Sequence, residues 1–136
     1  MILTRLASTR FLAAFLVSLV LVVGAGCSAG SSSAPDAGFT VNMDTQPTPM
    51  QSGRVATVTL RVAQPGGAAV TGAKVSFTPE HTSMSMGSGG PVATQEREPG
   101  VYSAEYLPAM SGTYRVTVNV EASQGRTQRV IDANVR

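Results

Sequence analysis

The sequence predicts an all-β protein: an immunoglobulin-like antiparallel β-sandwich of about seven strands, preceded by a signal peptide and a flexible tether. Three observations support this prediction. An apolar run near the N-terminus stops at a single cysteine, a stretch rich in Ser, Gly, Ala and Pro follows, and short segments of alternating apolar and polar residues fill the rest. No segment after residue 38 combines helical spacing with a cap. A small barrel is the alternative architecture.

The first 26 residues have the layout of a secretory signal. Arg5 and Arg10 give a positive start, and an apolar run of thirteen residues extends from Phe11 to Val23. This length suits the core of a signal peptide and falls short of the roughly 20 residues that a permanent membrane span needs. Three small residues follow, and then Cys27, the only cysteine of the chain.

Cys27 has no partner for an intramolecular disulfide, so its presence in an exported protein needs another explanation. Its place after Gly24-Ala25-Gly26 resembles the lipobox read by lipoprotein signal peptidase, although Leu is usual where Gly24 stands. The resemblance implies cleavage after residue 26 and a diacylglycerol on the Cys27 thiol. The protein would then be extracytoplasmic and anchored by lipid to a bacterial membrane. The alternatives are ordinary signal cleavage with a stray cysteine, or an uncleaved N-terminal anchor.

Cleavage would leave 110 residues, which is enough for one domain at 39–136 behind the tether at 27–38. Removing Arg5 and Arg10 leaves eight basic residues against eight acidic ones. Nothing in this balance indicates nucleic acid as a partner. The tether, Ser28 to Gly38, lacks apolar periodicity and has the composition of a flexible coil.

The strand signals recur at short intervals, with turn residues between them. The predicted strands are Phe39–Asp44, Arg54–Val62, Lys74–Thr78, Val92–Arg97, Val101–Tyr106, Thr113–Val120 and Arg129–Val135. The second is the clearest, because Ala56, Val58, Leu60 and Val62 share one face. One apolar face per strand means two sheets packed face to face, which is a sandwich.

The sequence does not indicate an enzyme. The chain has one histidine and one cysteine, and no nucleophile, base and acid can be assembled around them. Glu96 and Glu98 lie beside a Gly/Pro turn, where a solvated strand edge explains them better than an acid–base pair does.

The segment Glu80 to Gly90 (EHTSMSMGSGG) carries the candidate site, with His81, Met84 and Met86 in the pattern His-x-x-Met-x-Met. Imidazole nitrogen and thioether sulfur together suit Cu(I), since soft ligands prefer soft ions. In a straight strand His81 would point away from the two sulfurs, so a site requires a turn or bulge at Thr82-Ser83. Alternatively, the methionines fill gaps under loops, and the histidine lies at the surface or forms a hydrogen bond with a loop carbonyl.

Strand parity extends this hypothesis to the other methionines. If the strands run alternately up and down, the connections carrying Met43 and Met50, then the His81 loop, then Met110 lie at one end of the sandwich. The tether enters at the opposite end, so the cluster would face away from the membrane. Tyr114 stands where such sandwiches often place a corner tyrosine, or it is simply a core aromatic.

Four pieces of the chain resemble the YtkA-like domain family, which is related to FixH-type proteins. They are GAKVSF at 72–77, MSMG at 84–87, PGVYSAEY at 99–106 and MSGTYRVTV at 110–118. Tyr114 replaces the Trp that is frequent in the last piece. The resemblance implies an exported immunoglobulin-like sandwich with a link to copper handling or oxidase assembly. By motif position it carries over only Met84 and Met86 as ligands.

Two functions follow as hypotheses. In the first, a lipid-anchored module holds or passes copper, as Cu(I), through His81, Met84 and Met86, with Met110 as a fourth ligand. In the second, a structural or interaction sandwich presents an edge strand or loops to a protein partner in the cell envelope and binds no metal.

Overall fold

A computed structural model describes residues 35–84 and 89–136 of the protein. The predicted signal peptide at 1–26, Cys27 and the tether up to residue 34 lie outside the described residues, as does Met86. The described part of the chain contains no helix long and apolar enough to cross a membrane.

Eight β-strands account for the architecture of the described residues, and they follow the sequence alternation closely. The strands are β1 Thr40–Gln46, β2 Ala56–Ala63, β3 Lys74–His81, β4 Val92–Ala93, β5 Gln95–Glu98, β6 Val101–Tyr106, β7 Gly112–Ala122 and β8 Gly125–Val135. They form two antiparallel sheets, one in the order β1-β2-β6-β5 and the other in the order β4-β3-β7-β8. The predicted immunoglobulin-like β-sandwich is therefore confirmed.

One predicted strand, Val92–Arg97, divides between the two sheets. Val92 pairs with Phe77 in the second sheet, and after Thr94 the chain continues as β5 along β6 in the first sheet. Thr94 marks the crossing, because both its backbone N–H and its hydroxyl donate to the carbonyl of Val75. The polar segment had no alternation from which this division could be predicted.

The core lies between the two sheets and contains the side chains that the alternation places inward. Ala56, Val58, Leu60 and Val62 of β2 are all buried. The second sheet contributes the buried side chains of Val75, Phe77, Tyr114, Val116, Val118 and Val120. Full burial of a Val, Leu or Phe side chain stabilises the fold by about 1.5–3 kcal/mol, so these facing rows dominate the energetics.

The antiparallel pairing gives the sandwich two distinct ends. The pairs Ala56–Tyr106, His81–Tyr114 and Gly112–Val135 lie at one end, which we call the distal end. It carries the connections 47–55, 82–91 and 107–111, of which residues 85–88 are not described. The other, proximal end receives the chain from the N-terminal side, and it carries the connections 64–73, 99–100 and 123–124.

The last residues of the predicted tether lie against β8 at the proximal end. The N–H of Ala37 donates to the carbonyl of Arg126 over 2.9 Å, in a parallel bridge. The carboxylate of Asp36 accepts from the N–H of Gly38 at 2.9 Å and from the hydroxyl of Thr127 at 2.7 Å. Residues 35–38 therefore form part of the ordered domain edge, with a shape that a Ser/Gly/Ala/Pro composition does not reveal.

Candidate metal centre at the distal end

His81 is the last residue of β3, and both nitrogens of its imidazole ring have partners. Nε2 lies 3.0 Å from the carbonyl oxygen of Ser111. Nδ1 accepts from the N–H of Ser83 at 3.3 Å and lies 2.9 Å from the Ser83 hydroxyl. The ring also meets Tyr114 edge-on, with centroids 5.0 Å apart. The imidazole is thus held between the connection after β3 and the corner before β7.

The turn that the candidate site requires is present at Thr82-Ser83. The N–H of Met84 donates to the carbonyl of His81 over 3.3 Å, and Thr82 is held by two bonds, from its N–H and its hydroxyl, to the carbonyl of Thr113. The turn reverses the chain, so Met84 does not continue along the line of β3. The Met84 residue is 52% exposed, which leaves its thioether open to a ligand from solvent.

Met110 reaches the same end through the corner before β7. The hydroxyl of Tyr114 donates to the carbonyl of Met110 over 3.1 Å, while the Tyr114 ring is buried. Both interpretations of Tyr114 therefore hold: it is a core aromatic and its hydroxyl closes a corner. Met110 is 39% exposed and directly precedes Ser111, whose carbonyl faces the imidazole.

The structure does not gather all the methionines in one cluster. Met43 lies within β1 opposite Leu60 and packs against the core, so it belongs to the strand and not to the connection after it. Met50 is at the distal end but is only 2% exposed. Both therefore fill space in the core. Among the candidate ligands, His81, Met84 and Met110 share the distal end, and Met86 lies outside the described residues.

The donor set decides which metal the site fits. Among residues 35–84 and 89–136 there is no group of three His, Asp or Glu side chains that could hold a metal ion. A site here would depend on one imidazole and on thioethers, which suit Cu(I) and do not suit hard cations. The residues present therefore fit a soft monovalent ion.

The surroundings of this end are apolar and aromatic. Val55 and Leu107 are both more than half exposed and extend the Ala56–Tyr106 register outward. Burial, and then the neighbouring Tyr114, raises the pKa of Tyr106, so its phenol stays protonated at neutral pH. Val55, Leu107 and the Tyr106 phenol are thus all uncharged at neutral pH.

Sequence reasoning missed the residues that hold the imidazole. Ser83 and Ser111 lie in loops, Gly112 is the first residue of β7, and none of these small residues carries a chemical signature of its own. A Cβ on Gly112 would overlap Nε2 of His81 and lie 3.0 Å from its Cε1. Only the pairing of His81 with Tyr114, two residues from Gly112, brings these groups together.

Comparison with known proteins identifies a family and a fold. A family model described as YtkA-like matches residues 34–119. No curated protein sequence matches the chain. A filamin domain of Lin-41 superposes with a TM-score of 0.50 at 16% identity, over 77% of this chain and 98% of that one. An engineered protein superposes with a TM-score of 0.52 at 17% identity, over 75% of this chain and 21% of that one. At these identities the structural matches concern the fold alone.

Proposed function

This chain belongs to the YtkA-like family, and we propose that it is a lipid-anchored, extracytoplasmic module that binds copper as Cu(I) at its distal end. The ligands in this proposal are His81, Met84 and Met86, with Met110 as a fourth. The observation that carries it is the turn at Thr82-Ser83: Nδ1 of His81 faces Ser83 in this turn, and Met84 follows Ser83 directly.

The hydrogen bonding of His81 supports a role as a ligand. Histidines that bind metals donate their second ring N–H to a carbonyl, a carboxylate or water, which fixes the tautomer and the ring orientation. Here the carbonyl of Ser111 lies 3.0 Å from Nε2. Thioethers and a neutral imidazole bind without losing a proton, so copper would be held without any acidic side chain.

In this proposal the chain that leads from the anchor enters the domain at the end opposite the site. The chain enters at the proximal end through residues 35–38, and His81, Met84 and Met110 are at the distal end. A lipid on Cys27 would therefore leave the site facing away from its own membrane. Such a module suits holding copper in the envelope or passing it to a protein partner. Metabolic labelling with a palmitate analogue should mark the wild type and leave Cys27→Ala unlabelled, and a wild type without label would contradict lipid anchoring.

The test is a competition titration of the full-length protein, in detergent, with Cu(I) and a chelator. Met84→Leu/Met86→Leu removes both loop thioethers, whereas Met43→Leu/Met50→Leu removes two that pack in the core. We expect the first variant to lose at least tenfold in affinity and the second to compete like the wild type. Equal competition by all three proteins would overturn the copper proposal.

A second function, presentation of an edge strand to a protein partner, is favoured by the outer edge of β8. Short segments already pair with the two ends of this edge through parallel backbone hydrogen bonds. Residues 35–37 bond Arg126 at one end, and residues 50–52 bond Arg136 at the other. Between them, the outward backbone groups of Gln128, Val130, Asp132 and Asn134 have no backbone partner among the described residues. Val130 is 58% exposed at the middle of this gap. An extended peptide could add to such an edge, whose covered ends exclude a second β8 in antiparallel pairing.

The edge hypothesis is tested by a proline at an outward position. Val130→Pro removes an N–H that faces solvent, so it should preserve the fold while blocking strand addition. Crosslinking in intact cells from a photoreactive residue at position 128 should give an adduct in the wild type that disappears in Val130→Pro. An adduct that persists unchanged would argue against strand addition.

A further inference from the structure

The protonation of the His81 ring follows from the chemistry of its two backbone partners. The N–H of Ser83 can only donate, so Nδ1, at 3.3 Å, must offer its lone pair. The carbonyl of Ser111 can only accept, so Nε2, at 3.0 Å, must carry the hydrogen. A neutral ring satisfies both partners in one tautomer only, with the proton on Nε2.

The ring reaches the Ser111 carbonyl because residue 112 has no side chain. A Cβ on Gly112 would overlap Nε2, so any larger residue would drive the imidazole away from the carbonyl. Gly112 also has a φ of +139°, a conformation that other residues adopt only with strain. Two independent properties of this position, its space and its backbone, therefore require glycine.

The Nδ1 side of the ring faces the turn that carries Met84. Ser83 contacts Nδ1 through both its N–H and its hydroxyl, and Met84 follows directly. Since Nδ1 carries no hydrogen in this tautomer, the Ser83 hydroxyl is the donor in the 2.9 Å contact. The Ser83 hydroxyl thus occupies the ring lone pair that an incoming soft metal would need.

We propose that Gly112 and Ser111 hold His81 as its Nε2–H tautomer, so that Nδ1 is the metal-binding atom and Ser83 is its occupant in the metal-free protein. Gly112 is a positioning residue in this scheme, and Ser83 competes with the metal. The assignment of Nδ1 as the ligand atom depends on the copper function proposed above. The tautomer and the role of Gly112 stand on the hydrogen bonding alone.

The first test is nitrogen NMR of the full-length protein in detergent, labelled with ¹⁵N-histidine and purified without a polyhistidine tag. The chain has a single histidine, so its imidazole gives one unambiguous set of signals. In the metal-free neutral protein we expect a protonated, pyrrole-type Nε2 and a pyridine-type Nδ1. A protonated Nδ1, or a mixture of tautomers, would overturn the proposed tautomer and the positioning role of Gly112, whether or not copper binds.

Cu(I) added without oxygen separates this proposal from the copper function. A shift concentrated on Nδ1 supports the assignment, and one concentrated on Nε2 overturns it. If neither nitrogen shifts at saturating Cu(I), the copper function fails and the ligand assignment fails with it. The tautomer measured in the metal-free protein then still decides whether Gly112 positions the His81 ring.

Matched variants test the two supporting residues. Gly112→Ala should produce a mixture of tautomers and weaken Cu(I) binding by about tenfold or more, the usual effect of losing a partner behind a ligand. Gly53→Ala is the control, because Gly53 also has a positive φ, of +71°, lies at the distal end, and would meet nothing within 4 Å. If both variants keep the wild-type tautomer and affinity, Gly112 has no positioning role.

Ser83→Ala keeps the proposal testable if Gly112→Ala does not fold. Loss of one competing hydrogen bond should tighten Cu(I) binding by about fivefold, the equivalent of roughly 1 kcal/mol. The Ser83 N–H remains, so the Nε2–H tautomer should persist. Weaker binding in Ser83→Ala would show that the hydroxyl supports the metal instead of competing with it, and would overturn that part of the proposal.

Discussion

Each end of the sandwich fastens a loop with a tyrosine hydroxyl, but the two ends differ in what they leave exposed. At the proximal end the hydroxyl of Tyr102 donates to the carbonyl of Val70 and accepts from the N–H of Ala73, at 2.7 and 3.1 Å. At the distal end the hydroxyl of Tyr114 has one partner among the described residues, the carbonyl of Met110. The Tyr102 hydroxyl, on β6, is thus hydrogen-bonded to two residues of the connection 64–73.

The proximal end uses its other polar side chains in the same way. The carboxylate of Glu96 accepts from the N–H groups of Gly72 and Gly100, and Asp36 accepts from Gly38 and Thr127. These acids therefore satisfy backbone groups of the fold. The sequence interpretation of Glu96 as a solvated edge residue overlooked this bracing of two turns.

The distal end instead exposes large apolar side chains. Four of the five large hydrophobic residues exposed in the described part of the chain belong to it: Val55, Met84, Leu107 and Met110. Exposed apolar clusters mark binding surfaces more often than they serve stability. The contrast assigns stability to the proximal end and makes the distal end the place to look for function.

Tyr102→Phe should give the largest effect on stability. Removing the hydroxyl leaves the carbonyl of Val70 and the N–H of Ala73 without their buried partner, at a cost of about 1–3 kcal/mol in the free energy of unfolding. Urea denaturation measures this change. Tyr106→Phe is the control, since no hydrogen bond of the Tyr106 hydroxyl occurs within the described residues, and it should be close to neutral. If Tyr102→Phe left the free energy of unfolding unchanged, the contrast in stability between the two ends would be wrong.

Tyr114→Phe should cost less, about 0.5–1.5 kcal/mol by the same measurement, because a single and only partly buried hydrogen bond is lost. The ring remains, so its edge-on contact with His81 should persist and the His81 tautomer should not change. A loss larger than that of Tyr102→Phe would show that the distal corner carries more of the stability than its contacts indicate.

The sequence was sufficient to predict most of the sandwich, because burial on one face repeats every second residue. Val116, Val118 and Val120 are inward in β7, as their alternation requires. Where the side chains are uniformly polar, as in Gln95–Glu98, both faces look alike and the crossing at Thr94 could not be seen. The docking of residues 35–38 was hidden for a similar reason, since it depends on hydrogen bonds to Thr127 and Arg126 that are distant in sequence.

The sequence predicted the end of the fold at which His81, Met84 and Met110 lie, and their role as ligands stays a prediction. A site that joins His81 and Met84 required a turn or bulge at Thr82-Ser83, and the structure contains a turn there. Strand parity placed Met110 at the same end, but it also placed Met43 there, and Met43 packs within β1. The contact between Gly112 and His81 joins two strands through a missing side chain, and such a contact leaves no pattern in one sequence.

The smallest expected effect is a local release of the proximal edge at acid pH. The hydrogen bond from the N–H of Gly38, and then that from Thr127, lowers the pKa of Asp36 below 3.8, its ordinary value, with a further contribution from Arg129. A depressed pKa in the folded state means that this carboxylate stabilises the docked segment above pH 3.8. The stabilisation is lost as the pH falls through the lower folded value. Amide hydrogen exchange at Ala37, Gly38 and Phe39 should therefore speed up in that range, relative to the intrinsic rate. Asp36→Asn should exchange at a pH-independent relative rate, and matching profiles in the two proteins would show that the carboxylate does not hold the segment.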